Sequence, residues 1–91
     1  MNENNTIIAR GSNGKAIKMV KDINENTKVW TDIVYDYKDR IIERRETTVM
    51  DGKAVDEYVQ QMAYHDNGEL LFCGDNRGCA YHFNEKGLPI R

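Results

Sequence analysis

The chain has 91 residues, enough for a single domain spanning 1–91 and one modest core without a metal or disulfide. With 13 basic and 15 acidic residues its net charge is −2, so no strong sign bias points to a nucleic-acid backbone, an anionic membrane or an acidic mimic of DNA. No apolar run approaches the ~18 residues of a membrane span, and the opening MNENNTIIARG lacks the basic-then-apolar pattern of a secretory leader, so the expected compartment is the cytoplasm.

Residues 1–5 are polar and expected to be loose. Next, "TIIAR", "GSNG" and "KAIKMVK" read as a hairpin, because two β-prone runs flank a turn containing Asn13-Gly14. "DINENT" reads as a polar loop. "KVWTDIVYDY" then carries β-branched or aromatic residues at most positions, and "KDR" can turn it into "RIIERRETTV" as a second, long hairpin. Trp30, Ile33, Val34, Tyr37 and Ile41 also fit helical spacing, but Val, Ile, Thr, Tyr and Trp are weak helix formers, so strands are preferred.

The stretch after Asp51 leans the other way. Val55, Tyr58, Val59 and Met62 recur at helical spacing, Asp51 can cap the N-terminus, and Asn67-Gly68 can end the element. The sequence therefore predicts one helix near residues 53–64. A strand is the alternative, because Asp51-Gly52 and Asn67-Gly68 are also strong hairpin turns. "LLFC" and "AYHF" follow as a hairpin around the loop GDNRG, with Cys73 opposite Cys79 and Leu71 opposite Tyr81. "NEKG" makes a last turn before "LPI", where an edge strand tolerates Pro89. The expected fold class is α+β: a small, mainly antiparallel sheet of about six strands with one helix on it, the alternative being an all-β meander.

"VYDYKDRIIE", "AYHDNGELLF" and "AYHFNEKGLP" echo one another as aromatic, polar turn and aliphatic pair. Their uneven spacing is hairpin grammar and assigns no family.

The residues able to carry chemistry are few. Cys73, Cys79, His65 and His82 could supply four zinc ligands, but the cysteine spacing is wide for a zinc knuckle, and strand alternation sends Cys79 and His82 to opposite faces. The same alternation separates a cysteine nucleophile from His82. A Cys73–Cys79 bridge fits opposed strand positions, yet a reducing cytoplasm favours free thiols. Ser12 is the only serine and lies in a turn; Asp32, Asp36 and Asp39 read as solvated carboxylates; GSNGK is too short for a phosphate-binding loop. No metal, cofactor or catalytic set is expected.

The aromatic and arginine residues Trp30, Tyr35, Tyr37, Arg40, Arg44 and Arg45 form the candidate partner-binding set, with Arg40 and Arg44 expected on one face. Such residues suit protein hot spots, and also the stacking platforms that bind single-stranded nucleic acid. Glu43 and Glu46 interleave with the arginines and can neutralise them, which counts against both readings and suits a half-buried hairpin with ion pairs across its strands.

The expected function is that of a small non-enzymatic regulator or inhibitor that occupies the surface of a larger protein partner. The Asn-, Ile- and Lys-rich composition would suit a phage or mobile element. The alternatives are a single-stranded nucleic-acid-binding domain, and a small-ligand or metal site near Cys73, Cys79 and His82. A membrane partner is not expected, and pairing of an exposed hairpin edge could give a homodimer.

Overall fold

A computed structural model describes residues 5–90. Eight strands form one sheet in the order of the chain: β1 Asn5–Arg10, β2 Ala16–Asn24, β3 Thr27–Tyr35, β4 Ile41–Met50, β5 Lys53–Tyr64, β6 Leu70–Asp75, β7 Ala80–Phe83 and β8 Pro89–Ile90. Every neighbouring pair is antiparallel. Short turns between β-prone runs leave sequential strands no geometry except pairing with each other.

The α+β expectation is overturned: the described residues contain no helix, and the stretch predicted to be helical, 53–64, is the longest strand. The reason lies in the turn before it. Asp51 and Gly52 both take positive φ, 51° and 80°, as a two-residue hairpin turn requires, and this aims Lys53 straight back along β4. Ten residues of β4 then offer a ladder that a helix could not use, so pairing outweighs local propensity. The "DINENT" loop is also corrected, since β2 runs on to Asn24 and only a tight turn separates it from Thr27. Of the residues expected to be loose, 1–4 lie outside the described residues, whereas Asn5 pairs with Lys21 in the sheet.

Four of the turns share one hydrogen-bonding pattern. In 11–15, 36–40, 65–69 and 84–88 the first N–H donates to the carbonyl four residues on, and the fourth N–H donates to the first carbonyl. The fourth residue is left-handed in each: Gly14, Asp39, Gly68 and Gly87. Side chains complete the turns. Asp36 Oδ1 accepts from the Lys38 and Arg40 N–H groups at 2.8 and 3.0 Å, and Asn84 Oδ1 from Lys86 and Leu88 at 2.9 and 3.0 Å. Where the first residue is Gly11 or His65, the third takes over: Asn13 Oδ1 accepts from Lys15, and Asn67 Oδ1 from Glu69. These four turns lie along one end of the sheet and hold its strands in register.

The sheet is a single layer. No hydrophobic side chain among the described residues is fully buried; the buried residues are Thr27 and Thr31 of β3 and Gly74 of β6. The radius of gyration is 15.4 Å, against about 12 Å expected for a compact chain of this length. No helix among the described residues is long and apolar enough to cross a membrane.

Candidate interaction surface

The two faces follow from register, because directly opposed residues share a face and successive residues alternate. On one face lie Lys18, Val20 and Asp22 of β2, Lys28, Trp30 and Asp32 of β3, Glu43 and Arg45 of β4, and Glu57 of β5. Their charges satisfy one another. Lys18 Nζ is 3.5 Å from Asp32 and Lys28 Nζ 3.2 Å from Asp22; Arg45 reaches Glu57 at 2.8 Å and Glu43 at 3.8 Å. The Glu57 hydrogen bond, reinforced by its charge, holds the Arg45 guanidinium above its ordinary pKa. Lys18 also lies 5.6 Å from the centroid of the Trp30 ring, a cation–π contact. This is the charged face, a lattice of cross-strand ion pairs around a lone tryptophan.

The other face differs over β1–β3. Ile7, Ile17, Met19, Val29, Thr31 and Ile33 meet there, with the buried Thr31 at the centre of the apolar row. Ile23 joins Met19, Val29 and Thr31 in a groove of about 240 Å³ that Asn5, Lys21, Arg44 and Glu46 also line. A second groove, of about 570 Å³, runs from Ile17 and Ile33 out to the turns at Asn13 and Asp39. Beyond β3 this face turns polar, with Arg44, Glu46 and Thr48 on β4 and Asp56, Tyr58 and Gln60 on β5. Arg44 pairs with Glu46 on its own strand at 3.1 Å. We refer to it as the apolar face.

The six residues singled out in the sequence do not form one patch. Trp30 and Arg45 lie on the charged face and Arg44 on the apolar face. Tyr35 is half-buried, its hydroxyl donating to the Ala16 carbonyl at 2.8 Å. Tyr37 is 88% exposed in the 36–40 turn. Arg40 is held in the same turn, its Nε donating to Asp36 Oδ2 at 2.9 Å and its guanidinium 4.6 Å from the Tyr64 ring centroid. Arg40 also opens onto a groove with Val34, Glu43, Gln61 and Phe72 on the charged face, so it shares no row with Arg44. The bulge between Val34 and Tyr35 breaks the alternation that would have aligned the two arginines. The Arg40 backbone N–H is the main force holding the Asp36 carboxyl below its usual range.

The thiols and imidazoles stay apart. Cys73 faces Tyr81, not Cys79, because the loop is 75–79 and not the GDNRG read from the sequence. Asp75 closes that loop, its Oδ1 accepting from the Arg77 and Cys79 N–H groups at 2.9 and 3.0 Å, which lowers its pKa. Tyr58 donates to the Asp75 carboxylate at 3.0 Å, which raises the tyrosine's pKa. Both cysteines are free, Cys73 half-buried and Cys79 exposed. His82 stacks on Phe72 on the charged face with ring centroids 4.9 Å apart. His65 Nε2 lies 2.8 Å from the Phe83 carbonyl, which can only accept, so this nitrogen carries the proton. Among the described residues no three His, Cys, Asp or Glu side chains group as metal ligands.

Sequence reasoning missed the contrast between the faces. Its signal is legible in "IKMVKDI" and "KVWTDIV", where Ile17, Met19, Ile23, Val29, Thr31 and Ile33 alternate with Lys18, Asp22, Lys28, Trp30 and Asp32, an alternation broken at Val20, Lys21 and Val34. Comparison with protein-family models, curated proteins and solved structures finds no match.

Proposed function

We propose that the chain is a protein-binding module that docks through its apolar face and works as a regulator or inhibitor by occupying a partner's surface. One observation carries the reading. Neither face carries a second layer; one is neutralised by cross-strand ion pairs, whereas the other presents the half-buried apolar row Ile17, Met19 and Ile33. A single sheet with no buried hydrophobic side chain leaves much of its transfer free energy unrealised, and a protein surface laid on it would supply that burial. The nucleic-acid alternative is less favoured, because Arg40, Arg44 and Arg45 each already hold a carboxylate.

The test compares faces. A partner retained by the immobilised wild-type chain should also be retained by Val20→Lys, on the charged face, and lost by Met19→Lys and Ile33→Lys. Retention indifferent to all three substitutions would overturn the assignment.

A further inference from the structure

We propose that the occupant of the apolar face is a second copy of this chain, the two sheets closing face to face into a two-layer sandwich. The inference rests on reading the apolar face as a docking surface and goes further by naming what docks. Three features favour a copy of self.

The first is area. The apolar zone of β1–β3 covers only about 300 Å², taking strands ~4.8 Å apart and ~3.3 Å per residue. A stable dimer buries ~800 Å² on each partner, so that zone alone falls short. The whole face is larger: extents of 45 × 31 × 24 Å put an upper limit of about 1,400 Å² on its projection, against the ~800 Å² needed. The polar half over β4 and β5 must therefore be included, and its charges must be satisfied.

Within each copy Arg44 holds Glu46 and Arg77 holds Asp56, and one twofold axis lays the two faces on each other. Place it between the sheets, across the strands, level with the row Met19–Thr31–Glu46–Tyr58. Each strand then lies over its own equivalent, running the opposite way. Ile33 covers Val29 of the second copy, and Met19 meets Met19. Ile17 lies on the aliphatic stem of Lys21. Arg44 crosses to the level of Thr48 of the second copy, beside an Asp56 that its own Arg77 holds at 2.6 Å. The two Glu46 carboxylates meet at the axis, each already held by its own Arg44. The apolar row thus covers its own equivalent, as an isologous interface requires.

The third feature is layer architecture. Sheets in sandwiches pack ~10 Å apart through their apolar faces, and this sheet has an apolar face with nothing on it. A copy of itself supplies the second layer with residues of matching pattern.

The experiment is sedimentation equilibrium on the intact chain from ~1 to ~100 μM, a range that captures weak and strong dimers. The wild-type chain should approach twice its 10.5 kDa mass. Met19→Lys and Ile33→Lys should each weaken association at least a hundredfold with the β-sheet circular dichroism intact. Val20→Lys should associate like wild type. A wild-type chain that stays monomeric throughout overturns the proposal. So does a dimer that survives both apolar-face substitutions but is abolished by Ile8→Pro at the β1 edge, because it pairs edge to edge. An apolar-surface dye separates the two levels of inference. A monomer whose dye binding disappears in Met19→Lys loses the second copy but keeps the docking face, whereas a monomer whose dye binding ignores Met19→Lys loses both.

Discussion

Replacing Gly68 with alanine tests the device that sets the faces. Gly68 has φ +93°, and a Cβ built on it meets nothing within 4 Å, so the substitution probes backbone conformation without steric collision. Forcing an L-residue into the left-handed region costs ~1–2 kcal/mol. Alanine also narrows the unfolded ensemble, which returns ~0.4–1 kcal/mol if the native conformation is accessible. The net loss is about 0.5–1 kcal/mol, a fall of about 2–8 °C in Tm for a domain of this size. Thermal unfolding followed at a β-sheet wavelength reads it. Gly68→Asn should lose less, since asparagine tolerates this region. Gly11→Ala is the contrasting variant: Gly11 lacks positive φ, and its added Cβ would lie 3.1 Å from Ile17 Cγ2, so any cost there is steric. If Gly68→Ala melts with the wild type, the left-handed fourth residue does not hold the turn, and the account of register falls with it. The consequence reaches the surface, because a one-residue slip in the β5–β6 hairpin that Gly68 closes would carry Phe72 and Gly74 to the opposite face.

The other predictions concern pH, hydroxyls, thiols and nucleic acid. The Asp36 and Asp75 carboxyls are depressed by turn N–H groups, so their contribution is present above the ordinary carboxylate pKa and lost as pH falls through the lower folded values. Acid unfolding should therefore begin below about pH 4, and Asp36→Asn should flatten that limb; an unchanged acid limb would contradict it. Tyr58 is shifted the other way by Asp75, so its contribution holds below its ordinary value of 10.0 and is lost as pH rises through the raised one; absorbance titration of Tyr58→Phe against wild type should remove one phenol signal that titrates above 10.0. Tyr64→Phe deletes a 2.6 Å hydrogen bond to the Ile41 carbonyl and should cost toward the lower end of ~0.5–1.5 kcal/mol in urea unfolding. Both cysteines should titrate with a thiol reagent, Cys79 faster than Cys73, with no change in melting on adding reductant; a reductant-sensitive melt would reveal a bridge. A fluorescent single-stranded oligonucleotide should not bind even at low salt, and tight binding that weakens steeply with salt would restore the nucleic-acid reading.

The first hairpin, the 28–46 hairpin and the terminal edge strand at Pro89 were legible because β-branched residues and turn residues agree there. The helix over 53–64 was misread because Val55, Tyr58, Val59 and Met62 satisfy helical spacing, while the strand pattern is masked by Gln60 and Gln61 in its middle. What decides between them is β4, and a partner strand is invisible to local propensity. The cysteine geometry failed for a different reason. GDNRG was read as the loop from its flanking glycines, whereas Asp75 and Gly78 take the cap and left-handed positions and move the loop on by one residue. That single step takes Cys79 out of the strand. The aromatic–arginine set was chosen by residue type, and strand alternation with one bulge divided it between two faces and a turn. The apolar row was written in the alternation of β2 and β3, but it gained meaning only once register aligned Met19, Thr31 and Glu46.

The most direct measurement is hydroxyl-radical footprinting of the intact chain across a concentration series, comparing Met19 on the apolar face with Trp30 on the charged face. A second sheet laid over the apolar face shields Met19 progressively as concentration rises and leaves Trp30 equally reactive throughout. Equal labelling of Met19 at every concentration, or protection of Trp30 in its place, would contradict the account.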